Sequence, residues 1–186
     1  MTDLNSFHKN LGDMLIATER CLQLHQHLPA LVLMCSLIDS LAWAATGDIQ
    51  PKVRERFEDW VNSWLLRELK SFAPAVSATD LYAARCAVLH TLTGDSDLSK
   101  AGHAKRFLYA WGTGKTEILQ AAIKATNQNS HLALHYDDLL YSLVHATTKF
   151  IDGANQDPAL ATRLDAAAAK HYINIDAPSP NHENRA

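Results

Sequence analysis

Apolar residues recur at helical spacing along almost the whole chain. Leu4, Phe7, Leu11, Leu15 and Leu22 share one stripe and predict a first helix over about Thr2 to His27. Pro29 opens a second, which stops at Thr46-Gly47. Pro51 starts a third, with Val53, Phe57, Trp60, Val61, Trp64 and Leu65 as a wide apolar face. Trp43, Trp60 and Trp64 fall in these helices and read as core.

Ser77 or Thr79 caps a fourth helix, with Asp80 in its first turn and Gly94 as its stop. Gly94-Asp95-Ser96-Asp97 reads as a turn and as the cap of the next element. Phe107-Leu-Tyr-Ala-Trp111 fits a short strand or a buried helical turn; with no partner strand visible, Lys105 to Trp111 reads as helix or irregular chain. Thr116 to Ala125 and His131 to Ile151 read as further helices, the second with Leu132, Leu139, Leu140, Leu143 and Phe150 inside. Asp157-Pro158 caps a last, alanine-rich helix ending near Tyr172. The expected fold is all-α, an up-and-down helical bundle with additional C-terminal helices. One domain is expected over 1–175, then a polar, proline-containing, disordered tail over 176–186.

Composition narrows the class. A chain of 186 residues, 47% hydrophobic and 20% charged, buries one substantial core. Its most apolar stretch, Leu28 to Ala45, is interrupted by Ser36, Asp39 and Ser40 and is short for a membrane span, so it reads as a core helix and no membrane partner is expected. The N-terminus carries no basic-then-apolar export signal. Cys21, Cys35 and Cys86 lie in apolar helical patterns without paired spacing, as reduced thiols of a cytoplasmic protein do. A net charge of −3 argues against coating nucleic acid by bulk electrostatics, so any RNA contact is local. Lys100, His103, Lys105 and Arg106 form the best phosphate- or RNA-binding cluster, with Lys52, Arg54 and Arg56 as a second; a solvated surface is the alternative for each.

Chemistry concentrates in Leu81 to Gly94, where Arg85 and His90 make the pattern R-x-x-x-x-H. Arginine offers a permanent planar fork for phosphate, and histidine exchanges protons near neutral pH. A separation of five residues places the pair about 140° apart around an ideal helix. Meeting on one phosphate then needs the long arginine stem, a distorted last turn, or a second subunit. Asp39, inside the apolar second helix, needs a partner; Arg85 is the candidate, with Asp39 orienting Arg85 or His90. The alternatives are an ion pair holding Arg85 and a polar seam holding Asp39.

On these residues the chain resembles the HEPN superfamily, the higher eukaryotes and prokaryotes nucleotide-binding domains, over about Leu11 to Phe150. The resemblance implies a helical domain that pairs as a homodimer, with two R-x-x-x-x-H motifs facing one cleft. It implies a metal-independent endoribonuclease of toxin or RNA-processing type, or a silent nucleotide-binding or interaction module, with RNA or a nucleotide as ligand and an antitoxin-like protein as partner. Arg85 and His90 would be catalytic and Asp39 and Cys86 supporting; Cys86 stands where many of the ribonucleases carry a polar residue, commonly asparagine. No cofactor is called for.

Two other patterns suggest a different chemistry. Gly112-Thr-Gly-Lys-Thr116 ends like a phosphate-binding P-loop, but Tyr109 occupies the first glycine position. It reads as a turn, with Thr116 capping the next helix and Lys115 able to hold an anion. His131 and His135 would share a helical face, with Asp138 and His145 nearby, yet the glutamate of H-E-x-x-H is missing and no metal site is assigned. His25 and His27 read as surface residues near a helix end.

Overall fold

Burial of the expected stripes closes a predominantly α-helical bundle around the most apolar helix. The computed structural model describes residues 3–47 and 51–170; the ends expected at Thr2 and Tyr172 and the tail 176–186 lie outside the described residues. Helix α1 is Asp3–Gln23 and α2 is His27–Thr46. The turn between them carries His25 in the left-handed region at φ 57°. Helix α2 is long and apolar enough to cross a membrane, and 50% of that stretch is buried inside the protein. Met34, Leu37 and Leu41 are wholly enclosed there, where α1, α3, α5, α8 and α9 pack against α2.

Helix α3, Val53–Trp60, runs into a π-helical turn, Val61–Leu65, and then into α4, Leu66–Leu69. The π turn holds one residue more than an α turn. Trp60 and Trp64 both meet the Phe150 ring edge-on, at 6.0 and 5.5 Å. Gly153 on α8 leaves room for the second of these: a Cβ there would sit 2.8 Å from Trp64 Cη2.

Helix α5, Ala78–Thr91, starts as the sequence predicts. The Ser77 hydroxyl accepts from the Asp80 backbone N–H at 3.2 Å, and the Asp80 carboxylate accepts from the Ser77 N–H at 3.0 Å. This reciprocal cap stabilises the helix by about 1 kcal/mol. The other end differs from expectation. Leu92, not Gly94, turns the chain, in the left-handed region at φ 54°. A leucine costs about 1 kcal/mol there, and the hydroxyl of Thr91, bonded to Ala87 O at 2.8 Å, helps close the end. Ser96 caps the short α6, Asp97–Lys100.

The main departure from an all-helical chain lies in 106–135. Arg106–Ala110 is a strand, β1, and His131–His135 is a second, β2, paired in parallel with Arg106 opposite His131 and Ala110 opposite His135. Helix α7, Thr116–Ala125, connects them, so 106–135 forms a β-α-β unit. The helix expected over His131 to Ile151 begins only at Tyr136: α8 is Tyr136–Ala154, and His135 caps it, accepting from the Asp137 N–H at 3.1 Å. Residue Lys115, not Thr116, occupies the capping position of α7. Helix α9, Pro158–Ala168, starts at the Asp157 cap as expected.

Candidate functional site

Helix α5 presents Arg85 toward α2, where Asp39 lies on the facing side. Arg85 Nε donates to Asp39 Oδ2 at 2.7 Å and Nη2 reaches the same oxygen at 2.6 Å. Both side chains are largely enclosed, at 13% and 19% exposure. The third nitrogen, Nη1, lies 3.1 Å from His90 Nε2. Arginine carries only donors, so in this contact Nη1 donates and His90 Nε2 accepts. The long arginine stem thus spans the angular gap between the two positions, and the pair meets within one chain.

Burial works against the Arg85 charge, but the hydrogen bond and negative charge of Asp39, with a further hydrogen bond to Cys86, hold its pKa above the ordinary value. Tyr82 is pushed up by burial and by its own hydrogen bond to Cys86. Cys35, one turn before Asp39 on α2, is raised to about 12, by burial first and the Asp39 charge second, against the opposing pull of Arg85. Cys35 and Tyr82 therefore belong to this polar seam with Asp39, Arg85 and Cys86. Their spacing from Asp39 and Cys86, four residues along each helix, is the signal that marks them. His90 stands at the exposed end of the seam.

The basic cluster is placed elsewhere. Lys100, His103 and Lys105 are exposed, and Arg106 is ion-paired with Asp95. The Lys105 backbone N–H donates to Asp80 Oδ1 at 2.6 Å, which ties the start of β1 to the first turn of α5. No hydrogen bond or ion pair among the described residues joins these four to Arg85 or His90. The two histidines of β2 are not on a helix. Four residues of strand separate them by about 13 Å, and their rings turn to different partners, His131 to Ser130 and His135 to Gly112 O at 3.2 Å.

A second arrangement is visible only in three dimensions. His25, His27, Trp111 and Tyr136 gather beside the carboxyl ends of β1 and β2, around a cavity of about 830 Å³. The aromatic and histidine residues are plain in the sequence, but no spacing rule connects the turn before α2 with the residues just beyond the two strands. Comparison with protein-family models, curated proteins and solved structures gives no match.

Proposed function

We propose that this chain is a HEPN-like RNA-cleaving domain acting through Arg85 and His90. The observation that carries the reading is the 3.1 Å contact between Arg85 Nη1 and His90 Nε2, with the guanidinium anchored from behind by Asp39. Two groups that touch at this distance can bracket one phosphate, which enters by replacing their mutual contact. Arg85 then holds the phosphate and offsets charge developing at phosphorus, while His90 takes the 2′-hydroxyl proton or returns one to the leaving 5′-oxygen. The products are a 2′,3′-cyclic phosphate and a 5′-hydroxyl. DNA, lacking the 2′-hydroxyl, is not cut. A homodimer would set two such motifs at one cleft, and an antitoxin-like protein would cover it.

The test is incubation of the purified chain with a structured RNA in EDTA. Cleavage is expected, abolished by Arg85→Ala and by His90→Ala; retained activity in both variants sinks the reading. One observation favours a second: Asp39 neutralises Arg85 in a largely enclosed ion pair, as a purely structural arginine would have it. On that reading the chain is a silent interaction or nucleotide-binding module, which dimerises tightly by light scattering and never cleaves RNA.

A further inference from the structure

Trp111 directly follows β1, and it is 51% exposed. The indole is nevertheless held in place. His25 meets it at 5.2 Å and 63°, and His27 at 4.9 Å. His27 stacks on Tyr136 at 5.1 Å and 13°, and Tyr136 on Tyr109 at 4.7 Å and 17°. Burial raises the pKa of both tyrosines, so each stays a neutral phenol. The rings come from the α1–α2 turn, the start of α2, β1 with the residue after it, and the first residue of α8. Rings from four elements thus pack in series: His27, Tyr136 and Tyr109 are stacked, Trp111 leans on His27 at 42° and meets His25 edge-on, and this outer member is half bare.

The series borders the cavity of about 830 Å³, which also takes Leu15 of α1 and Tyr141 of α8 as walls. This volume lies in the range of small-molecule sites. The position, outside the carboxyl ends of two parallel strands, is where β-α-β units bind ligands. The wall is largely apolar, with Leu15, Ile16, Leu22, Leu140 and Val144; Glu19 and Asp137 are its carboxylates, and among the described residues neither lysine nor arginine lines it. Glu19 takes Gln23 Nε2 at 3.4 Å and Asp137 lies 3.6 Å from His135 Nδ1, which leaves each carboxylate further acceptor capacity and disfavours an anion. Such a wall suits a flat ring that stacks on one side and donates hydrogen bonds at its edge. A second cavity, of about 420 Å³, shares Trp111 and is lined by Gly114 and Lys115. The one basic group of the Gly112–Lys115 loop therefore lines a cavity that meets the first at Trp111. His135, donating to Gly112 O at 3.2 Å, pins that loop to the start of α8.

We propose that this cavity is a nucleobase site, which stacks an amino-bearing purine on Trp111, satisfies its donor edge with Glu19 and Asp137, and directs any attached phosphate toward Lys115. The base comes from a free mononucleotide or from an unpaired position in an RNA strand. Base stacking on an aromatic side chain tolerates sequence, and hydrogen bonds to the edges of an unpaired base discriminate.

The test is titration of the full chain with guanosine, adenosine and uridine by calorimetry, without any cleavage assay, so it is decided independently of Arg85 and His90. Guanosine and adenosine are expected to bind saturably and uridine at least threefold more weakly. Trp111→Ala is expected to weaken the purines at least tenfold, with the thermal unfolding midpoint kept as the control for folding. Asp137→Asn is expected to weaken guanosine without loss of fold. Guanosine 5′-monophosphate binding more tightly than guanosine, with the gain removed by Lys115→Ala, assigns a mononucleotide; a purine-rich single-stranded hexaribonucleotide binding more tightly than either assigns an RNA base. Absence of saturable purine binding to the wild-type chain at millimolar concentration, or purine binding unchanged by Trp111→Ala, overturns the proposal.

Discussion

Asp39 and Arg85, 46 residues apart in the chain, meet so that a single carboxylate oxygen, Oδ2, takes two guanidinium nitrogens at 2.7 and 2.6 Å. The other oxygen, Oδ1, is buried without a hydrogen-bond partner among the described residues. The contact ties α5 to α2 and sets the direction in which Nη1 points. Asp39→Asn keeps the shape but leaves the Arg85 charge uncompensated. A fully buried pair loses about 3–5 kcal/mol when one partner is removed; with both groups partly solvated, about 2 kcal/mol is expected, read from chemical denaturation.

His90 gives the opposite balance. Its side chain is exposed at the end of α5, so His90→Gln should change stability by no more than about 0.5 kcal/mol. If His90 moves the proton, the same change should lower RNA cleavage by about 100-fold or more. Measuring both quantities on one preparation separates a proton carrier from a structural residue.

Thiol chemistry tests the seam. Cys35 is raised to about 12 by burial, so its reactive thiolate is nearly absent near pH 8. Iodoacetamide should leave Cys35 unmodified in the native chain and modify it after denaturation, as mass spectrometry of the peptides would show. Labelling of native Cys35 as fast as the half-buried Cys21 would contradict the packing around Asp39.

Acid sensitivity has an identifiable contributor in α1. His8 has its pKa lowered from 6.5 by burial, and its Nε2 is enclosed without a hydrogen-bond partner among the described residues. The unfolded chain therefore takes up the proton at higher pH than the folded one. Stability from this group is present above 6.5 and is lost as pH falls from there toward the lower folded value. His8→Leu should flatten the decline in denaturation midpoint as the pH falls below 6.5.

Gly153→Ala probes the aromatic packing on α8. The added Cβ would lie 2.8 Å from Trp64 Cη2, forcing the indole off Phe150. A loss of about 2 kcal/mol is expected from such overpacking, seen as a lower thermal midpoint.

The helices were legible because their apolar periods are long and their caps are chemical: Ser77 with Asp80, and Asp157 with Pro158, sit where the backbone needs them. The strands were not, for two reasons. Phe107 to Trp111 is too short to show a period, and its partner lies beyond a whole helix. His131-Leu-Ala-Leu-His135 then runs without a break into the apolar stripe of α8, so alternation and helical spacing merge. The end of α5 was misplaced because Leu92, a residue with no turn preference, takes the left-handed position ahead of the available glycine. Arg85, His90 and Asp39 could be named from residue chemistry, and the arginine stem supplied the reach that the helical angle withheld. The cavity beside Trp111 depends on the β-α-β unit and so was hidden with it.

The π turn at Val61–Leu65 makes this stretch forgiving about chain length. Because the turn already absorbs a surplus residue, removing one between Trp60 and Leu66 returns it to α geometry and leaves Leu66 and Leu69 facing inward. The same deletion within α8 would rotate everything after it by about 100°. When related chains are aligned with this one, a single-residue gap belongs here, and sequences one residue shorter should keep the same tryptophan contacts.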